Sequence, residues 1–260
     1  MAYEKVLYTL EGNVAHISLN DPATRNAISR AVAEELIDAL RRAGTEARAV
    51  LLTSEGKGFS SGANLADTEV DLADPERDAG LALDAYLHPM VLAVRALDLP
   101  VVTAVQGAAA GVGSSLALAG DVIVCDESAY FLQAFRNIGL IGDGGATWLL
   151  SRAVGRVRAM EMLLLGERID AVKALDWGLV TRVVPDDDLR AAAMTLAREL
   201  ASGPLSLGMI KRTAWNANDM SLEEAMAAER LAQRDASRTD DFVEGVTAFL
   251  EKRVARFKGQ

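Results

Sequence analysis

The chain is 260 residues long, half of them apolar and a quarter charged, with a formal net charge of −10. That allows one large domain with an ample core, and the acidic balance argues against nucleic acid as the main partner, since phosphate binding wants a basic surface. A single cysteine, Cys125, and two histidines, His16 and His88, exclude an intramolecular disulfide, a cysteine zinc site and a histidine-rich metal site.

The N-terminus, Met1-Ala2-Tyr3-Glu4-Lys5, carries an early acid and no apolar run, so no secretory signal is expected. Residues 6–10 and 14–19 read as strands, and His16 falls in the alternating pattern of the second. Ser29 caps an expected helix over 30–43, with Val32, Leu36, Ile37 and Leu40 at helical spacing. A third strand is expected over 49–53. The segment 67–77, acidic and interrupted by Pro75, reads as a mobile loop. His88, before Pro89, suits a helix end or a pocket wall. The apolar run 100–119 is broken by Gln106, Gly107, Gly111 and Gly113, so it reads as a buried strand (101–105) and a helix (113–119), with no membrane span. A further strand is expected over 122–125 and a helix over 144–153. After Pro185 come helical periods over 189–200, 205–216, 222–234 and 240–256. Strands alternating with helices indicate an α/β protein, with residues 1–200 as its core and 201–260 as a helical C-terminal region.

Three loops carry the chemistry. In Gly58-Phe59-Ser60-Ser61-Gly62-Ala63, small residues let a ligand approach the backbone. The Ala63 N–H is a candidate oxyanion donor, and a plain strand-to-helix turn is the other reading. Gly107–Gly113 follows a strand and opens a helix, so its N–H groups sit at the positive helix end. Its spacing fits neither a dinucleotide fingerprint nor a P-loop. Val112 is a second candidate donor, against simple close packing of helix on strand. In the third loop, Asp143 stands between glycines and beside Leu140, Ile141 and Trp148. Desolvation there would raise its pKa and strengthen it as a base. An N-cap for the helix that follows is the competing role. No Gly-x-Ser-x-Gly elbow is present, so a Ser-His-Asp hydrolase is not supported.

Taken in order, these segments resemble the crotonase superfamily, the enoyl-CoA hydratase/isomerase family, over essentially the whole chain. The resemblance rests on Leu19-Asn20-Asp21-Pro22, Asn26-Ala27, Gly58–Leu65, Gly107–Gly113, Leu116–Asp121, Asp176-Trp177-Gly178-Leu179-Val180 and Glu244–Arg253. It implies a spiral of ββα units, a helical C-terminal trimerisation region, and a homotrimer or homohexamer in the cytoplasm. It also implies an acyl-CoA thioester as substrate, with no separate cofactor and no metal. Ala63 and Val112 would form the oxyanion hole. Arg25, Ala27, Asn64, Leu65 and Ala66 would bind CoA, and Phe249 and Lys252 would reach the CoA of a neighbouring subunit. The two glutamates of hydratases would fall at Ser115 and Phe135, and both are missing. Asp143 then remains as the single acid, as in the branch that isomerises ring-1,2-epoxyphenylacetyl-CoA, with His88 and Phe135 near the acyl group. The implied activity is an acyl-CoA isomerase working by enolate chemistry. A hydratase or lyase using the same site, and a non-catalytic acyl-CoA binder, are the alternatives.

Overall fold

The computed structural model describes residues 3–67 and 70–260. The signal reading at Met1 and Ala2, and positions 68 and 69 of the expected mobile loop, lie outside the described residues. Residues 70–77 of that loop are irregular and mostly exposed.

Strands β1 (Val6–Glu11) and β2 (Val14–Leu19) form an antiparallel hairpin. Parallel neighbours β3 (Ala49–Ser54), β4 (Val101–Val105), β6 (Val122–Asp126) and β9 (Arg182–Val184) extend it in the order β1-β2-β3-β4-β6-β9. A smaller sheet, β5-β7-β8, comprises Ala108–Ala110, Tyr130–Leu132 and Ile169–Asp170.

Side-chain alternation divides the core between the two faces of the large sheet. Val50 and Leu52 of β3 pack with α1 (Arg30–Glu46), α2 (His88–Ala96) and α3 (Val112–Leu118). Ala49 and Leu51 pack instead against Leu189, Ala193, Met194 and Ala197 of α7 (Leu189–Ala201). Every residue of β3 and β4 is buried, which is why these strands read as continuous apolar runs. The Ser29 hydroxyl accepts the Val32 N–H at 3.2 Å, the cap expected for α1.

Beyond the smaller sheet come α4 (Ala146–Ala153), α5 (Gly155–Leu165) and α6 (Ala171–Asp176), then α8 (Ser206–Ala217), α9 (Leu222–Ala236) and α10 (Asp240–Glu251). The last helix is shorter than expected. Lys252 takes a left-handed conformation and closes it, and Arg253 folds back onto Glu244 at 2.7 Å. Helix α8 is fastened to the core by the buried Lys211, whose ammonium donates to Val94 O and Leu99 O and pairs with Asp121 at 3.0 Å. Among the described residues no helix is long and apolar enough to cross a membrane.

Candidate active site

The sheet delivers the first two loops side by side. After β3, the Phe59 N–H donates to Gln106 O and the Ser60 N–H to Ala108 O, while the Ala110 N–H returns to Ser60 O, at 2.8–2.9 Å. The buried side chain of Asn26 pins the same loop. Its carboxamide donates to Glu55 O and Gly58 O and accepts from Asp21 N–H, with φ of 54°. Helix α3 then packs directly on the loop. A Cβ at Gly113 would stand 2.5 Å from the Ser60 Cβ, closer than any side chain allows.

Both candidate donors are left without partners. The flanks of Ala63 are tied to Ile28, through Ile28 N–H to Gly62 O and Asn64 N–H to Ile28 O, but the Ala63 N–H has no acceptor among the described residues. Gly111 N–H donates to Leu132 O, and the next N–H, that of Val112, opens α3 and has no acceptor either. The first turn of a helix leaves such groups free for a ligand. The loop after Ala63 goes on into a short 3-10 turn, Leu65–Asp67, instead of the regular helix a plain strand-to-helix turn would introduce.

Asp143 lies on the third loop, which is seated on α3. A Cβ at the next residue, Gly144, would come 2.9 Å from both Ser115 Cβ and Val112 Cγ2. The N-cap reading of Asp143 does not hold. Helix α4 begins two residues later than expected, Gly145 occupies its cap position, and no side chain caps it. Instead the Asp143 main-chain carbonyl accepts the Ala146 N–H at 2.9 Å. One carboxylate oxygen, Oδ1, is buried with no hydrogen-bond partner. Burial alone pushes its pKa up to about 6. The expected source of that burial needs correction. Leu140 and Ile141 are exposed, and Trp148 stacks on Trp215 at 5.8 Å beneath the Arg152 guanidinium. The chain that carries the carboxylate is instead packed on α3, through Gly144 and the Ser115 bond to Asp143 O.

Phe135 is buried against the second loop, with its Cζ 3.5 Å from where a Gly111 Cβ would stand. Arg25, Ala27 and Asn64 join the rim of the first loop. The Ser61 N–H donates to Arg25 O, the Ser60 hydroxyl to Asn26 O, and the Asn64 side chain accepts the Ala66 N–H. Leu65 and Ala66 are exposed there. Three expected residues are not brought to the loops within one chain. Phe249 and Lys252 are exposed at the end of α10, and Phe249 lines a groove between α8, α9 and α10. His88 opens α2, with Asp84 at 3.9 Å as its ion-pair contact. It stands one turn before Val91 and Leu92, which line a 180 Å³ cavity with Gly144, Gly145 and Trp148. Two residues of the site were read past in the sequence, Asn26 as a loop clamp and Ser115 as a donor to Asp143 O at 2.9 Å. The only signal for Ser115 is its place three residues after Val112, on the same side of a helix.

Two N–H groups without acceptors on adjacent loops, together with a desolvated carboxylate on a third, have the chemistry to hold an enolate oxygen and move a proton. Known proteins share the frame that carries this arrangement. The model of the enoyl-CoA hydratase/isomerase family matches residues 9–260. The chain belongs to the enoyl-CoA hydratase/isomerase family. Within the family it is 40% identical to a 1,2-epoxyphenylacetyl-CoA isomerase of Escherichia coli K12, over 99% of each chain. It is also 40% identical to a probable enoyl-CoA hydratase of Rhodobacter capsulatus, over the whole of both. The crystal structure of a putative enoyl-CoA hydratase/isomerase from Mycobacterium abscessus superposes with a TM-score of 0.92 at 35% identity, covering 98% of this chain and 100% of that one. The expected crotonase-like α/β fold is borne out.

Proposed function

We propose that the protein is an acyl-CoA isomerase that shifts a double bond or a ring bond by enolate chemistry. The observation that carries this reading is the buried, unpartnered Asp143 oxygen, on a loop seated against the helix that opens with the free Val112 N–H. The thioester oxygen accepts from the Ala63 and Val112 N–H groups. Asp143 takes a proton from the carbon α to the thioester, the negative charge moves onto that oxygen, and the proton returns to a different carbon. The carboxylate is a stronger base here than in water because its charged form is poorly solvated. In this reading Arg25, Ala27 and Asn64–Ala66 form the CoA side of the cleft and Phe135 the acyl side, with His88 one helical turn away from it.

Isomerisation is favoured over hydration because water addition works best with two acid–base groups, and the positions expected for glutamates hold Ser115 and Phe135. The E. coli relative's name supports an arene-epoxide acyl-CoA as substrate. The R. capsulatus relative, equally similar, supports a hydratase, and Asp143 alone could recruit a water. Incubation with crotonyl-CoA, with a 3-enoyl-CoA and with ring-1,2-epoxyphenylacetyl-CoA separates these. A double-bond or ring shift without hydroxyacyl product supports the isomerase, and a 3-hydroxyacyl product as the dominant outcome refutes it.

The working form in this reading is a homotrimer or its hexamer, built through residues 201–260. Helix α9 has no buried residue within one chain, and Leu222, Met226, Leu231, Val246, Phe249 and Leu250 are exposed. Phe249 and Lys252 would then meet the CoA of a neighbouring copy. A cytoplasmic location fits the single free thiol, Cys125.

A further inference from the structure

We propose that Ser115 is the positioning residue of this site: its hydroxyl ties the turn that carries Asp143 to the same helical turn that presents the Val112 N–H. The inference rests on the reading of Asp143 as the base. Ser115 is fully buried, and its Oγ donates to the Asp143 carbonyl at 2.9 Å. The Ala146 N–H donates to the same oxygen at 2.9 Å, so both of its lone pairs are engaged. Among the described residues no other side chain is hydrogen-bonded to the 140–145 segment. The remaining contact is steric. Gly144, at φ +58°, sits flush on Ser115 and Val112, and its lack of a Cβ is what lets the main chain come that close.

The consequence is geometric. Proton transfer needs the carboxylate and the oxyanion donors held to a fraction of an ångström. Val112 and Ser115 are one turn apart on α3, so a single O–H bond sets the distance between the acid's main chain and the donor. Without it, the turn is held to α3 by van der Waals contact alone. It can then lift, and water can reach the Oδ1 oxygen. Burial is what raises the pKa of this carboxylate, so water entry would act on it directly.

The test uses the full-length protein and four forms: wild type, Ser115→Ala, Ser114→Ala and Asp143→Asn. Ser114 is the control. It is equally buried, and its oxygen accepts from Gln133 Nε2 at 3.1 Å and makes no bond to the Asp143 turn. Each form is assayed for exchange of the α-proton of an acyl-CoA in deuterated water across pH, with melting temperature measured in parallel. Ser115→Ala is expected to lower kcat by about 10- to 100-fold with KM unchanged. Its acid limb should move from about pH 6 down toward that of an ordinary aspartate. Ser114→Ala is expected to lower the melting temperature without moving the acid limb. An Ser115→Ala enzyme with the wild-type kcat and acid limb, or with changes that Ser114→Ala reproduces, overturns the inference. If Asp143→Asn itself keeps full exchange activity, it is the underlying assignment of the base that fails.

Discussion

At the scale of a residue, Asp143 is a carboxylate kept where it is uncomfortable. Its folded-state pKa of about 6 lies above the ordinary aspartate value, so between the two the native state binds more protons than the unfolded chain. Stability therefore falls as pH rises through that window, and the cost is complete above about pH 6. Replacing Asp143 by Asn should remove a cost on the order of 1–3 kcal/mol at neutral pH. The gain should vanish below about pH 4, and comparison of denaturant midpoints at both pH values checks it. Turnover should follow the opposite trend, with wild-type kcat falling as pH drops through about 6 because the base becomes protonated. A stabilised but inactive variant is the expected signature of a group held for function. In the sequence the acid itself was legible, because glycines isolate it. Its surroundings were not. Leu140 and Ile141 are its neighbours in the chain yet lie exposed, and the helix its turn packs on lies some thirty positions earlier.

At the scale of elements, the site is a matter of how closely two loops and one helix approach. Gly113 marks where α3 meets the first loop, and an added methyl there would overlap the Ser60 side chain. Gly113→Ala should cost about 1–3 kcal/mol by overpacking. If it also swings either N–H away, it should lower kcat on the order of 10²- to 10³-fold. Chemical denaturation and steady-state kinetics measure the two effects separately. Loss of stability with unaltered kcat would show that the loops tolerate displacement. The regular elements were legible where a period or a cap stood in the sequence. Strands β2 and β4 match their expected bounds, and Ser29 caps α1 as its position implied. Strands β5, β7 and β8 escaped notice because two or three residues carry no period, and their pairing is decided by tertiary contact. Helix α10 ends before its expected bound because the apolar spacing runs on past Lys252, whereas the left-handed turn there, with Arg253 N–H on Ala248 O and the Arg253–Glu244 pair, is set by contacts no period reveals.

At the scale of the whole molecule, a compact α/β core is joined to helices that cannot bury their apolar faces alone. Lys211 and Trp215 fix α8 to Asp121, with the indole N–H donating at 2.8 Å. Lys211→Ala would remove the cation paired with Asp121, which keeps the Val101 and Trp215 N–H donors, and would take the ammonium donor from Val94 O and Leu99 O; the expected cost is about 1–3 kcal/mol, measurable as a lower denaturant midpoint. Among the described residues, α9 and the outer face of α10 have no such buried anchor. On the proposed trimer or hexamer, sedimentation of the wild type should give a multiple of three subunits. Met226→Asp combined with Leu250→Asp should shift it toward the single chain with its secondary structure retained. A wild type that sediments as one chain would remove the role assigned to residues 201–260.

The most direct test of the account is deuterium incorporation at the α-carbon of a bound acyl-CoA, compared between wild type and Asp143→Asn under conditions where both are saturated. The wild type should exchange that proton. The variant should bind the thioester with similar affinity, held by the Ala63 and Val112 amides, and exchange nothing. Equal exchange by the two proteins would contradict the claim that this one carboxylate moves the proton.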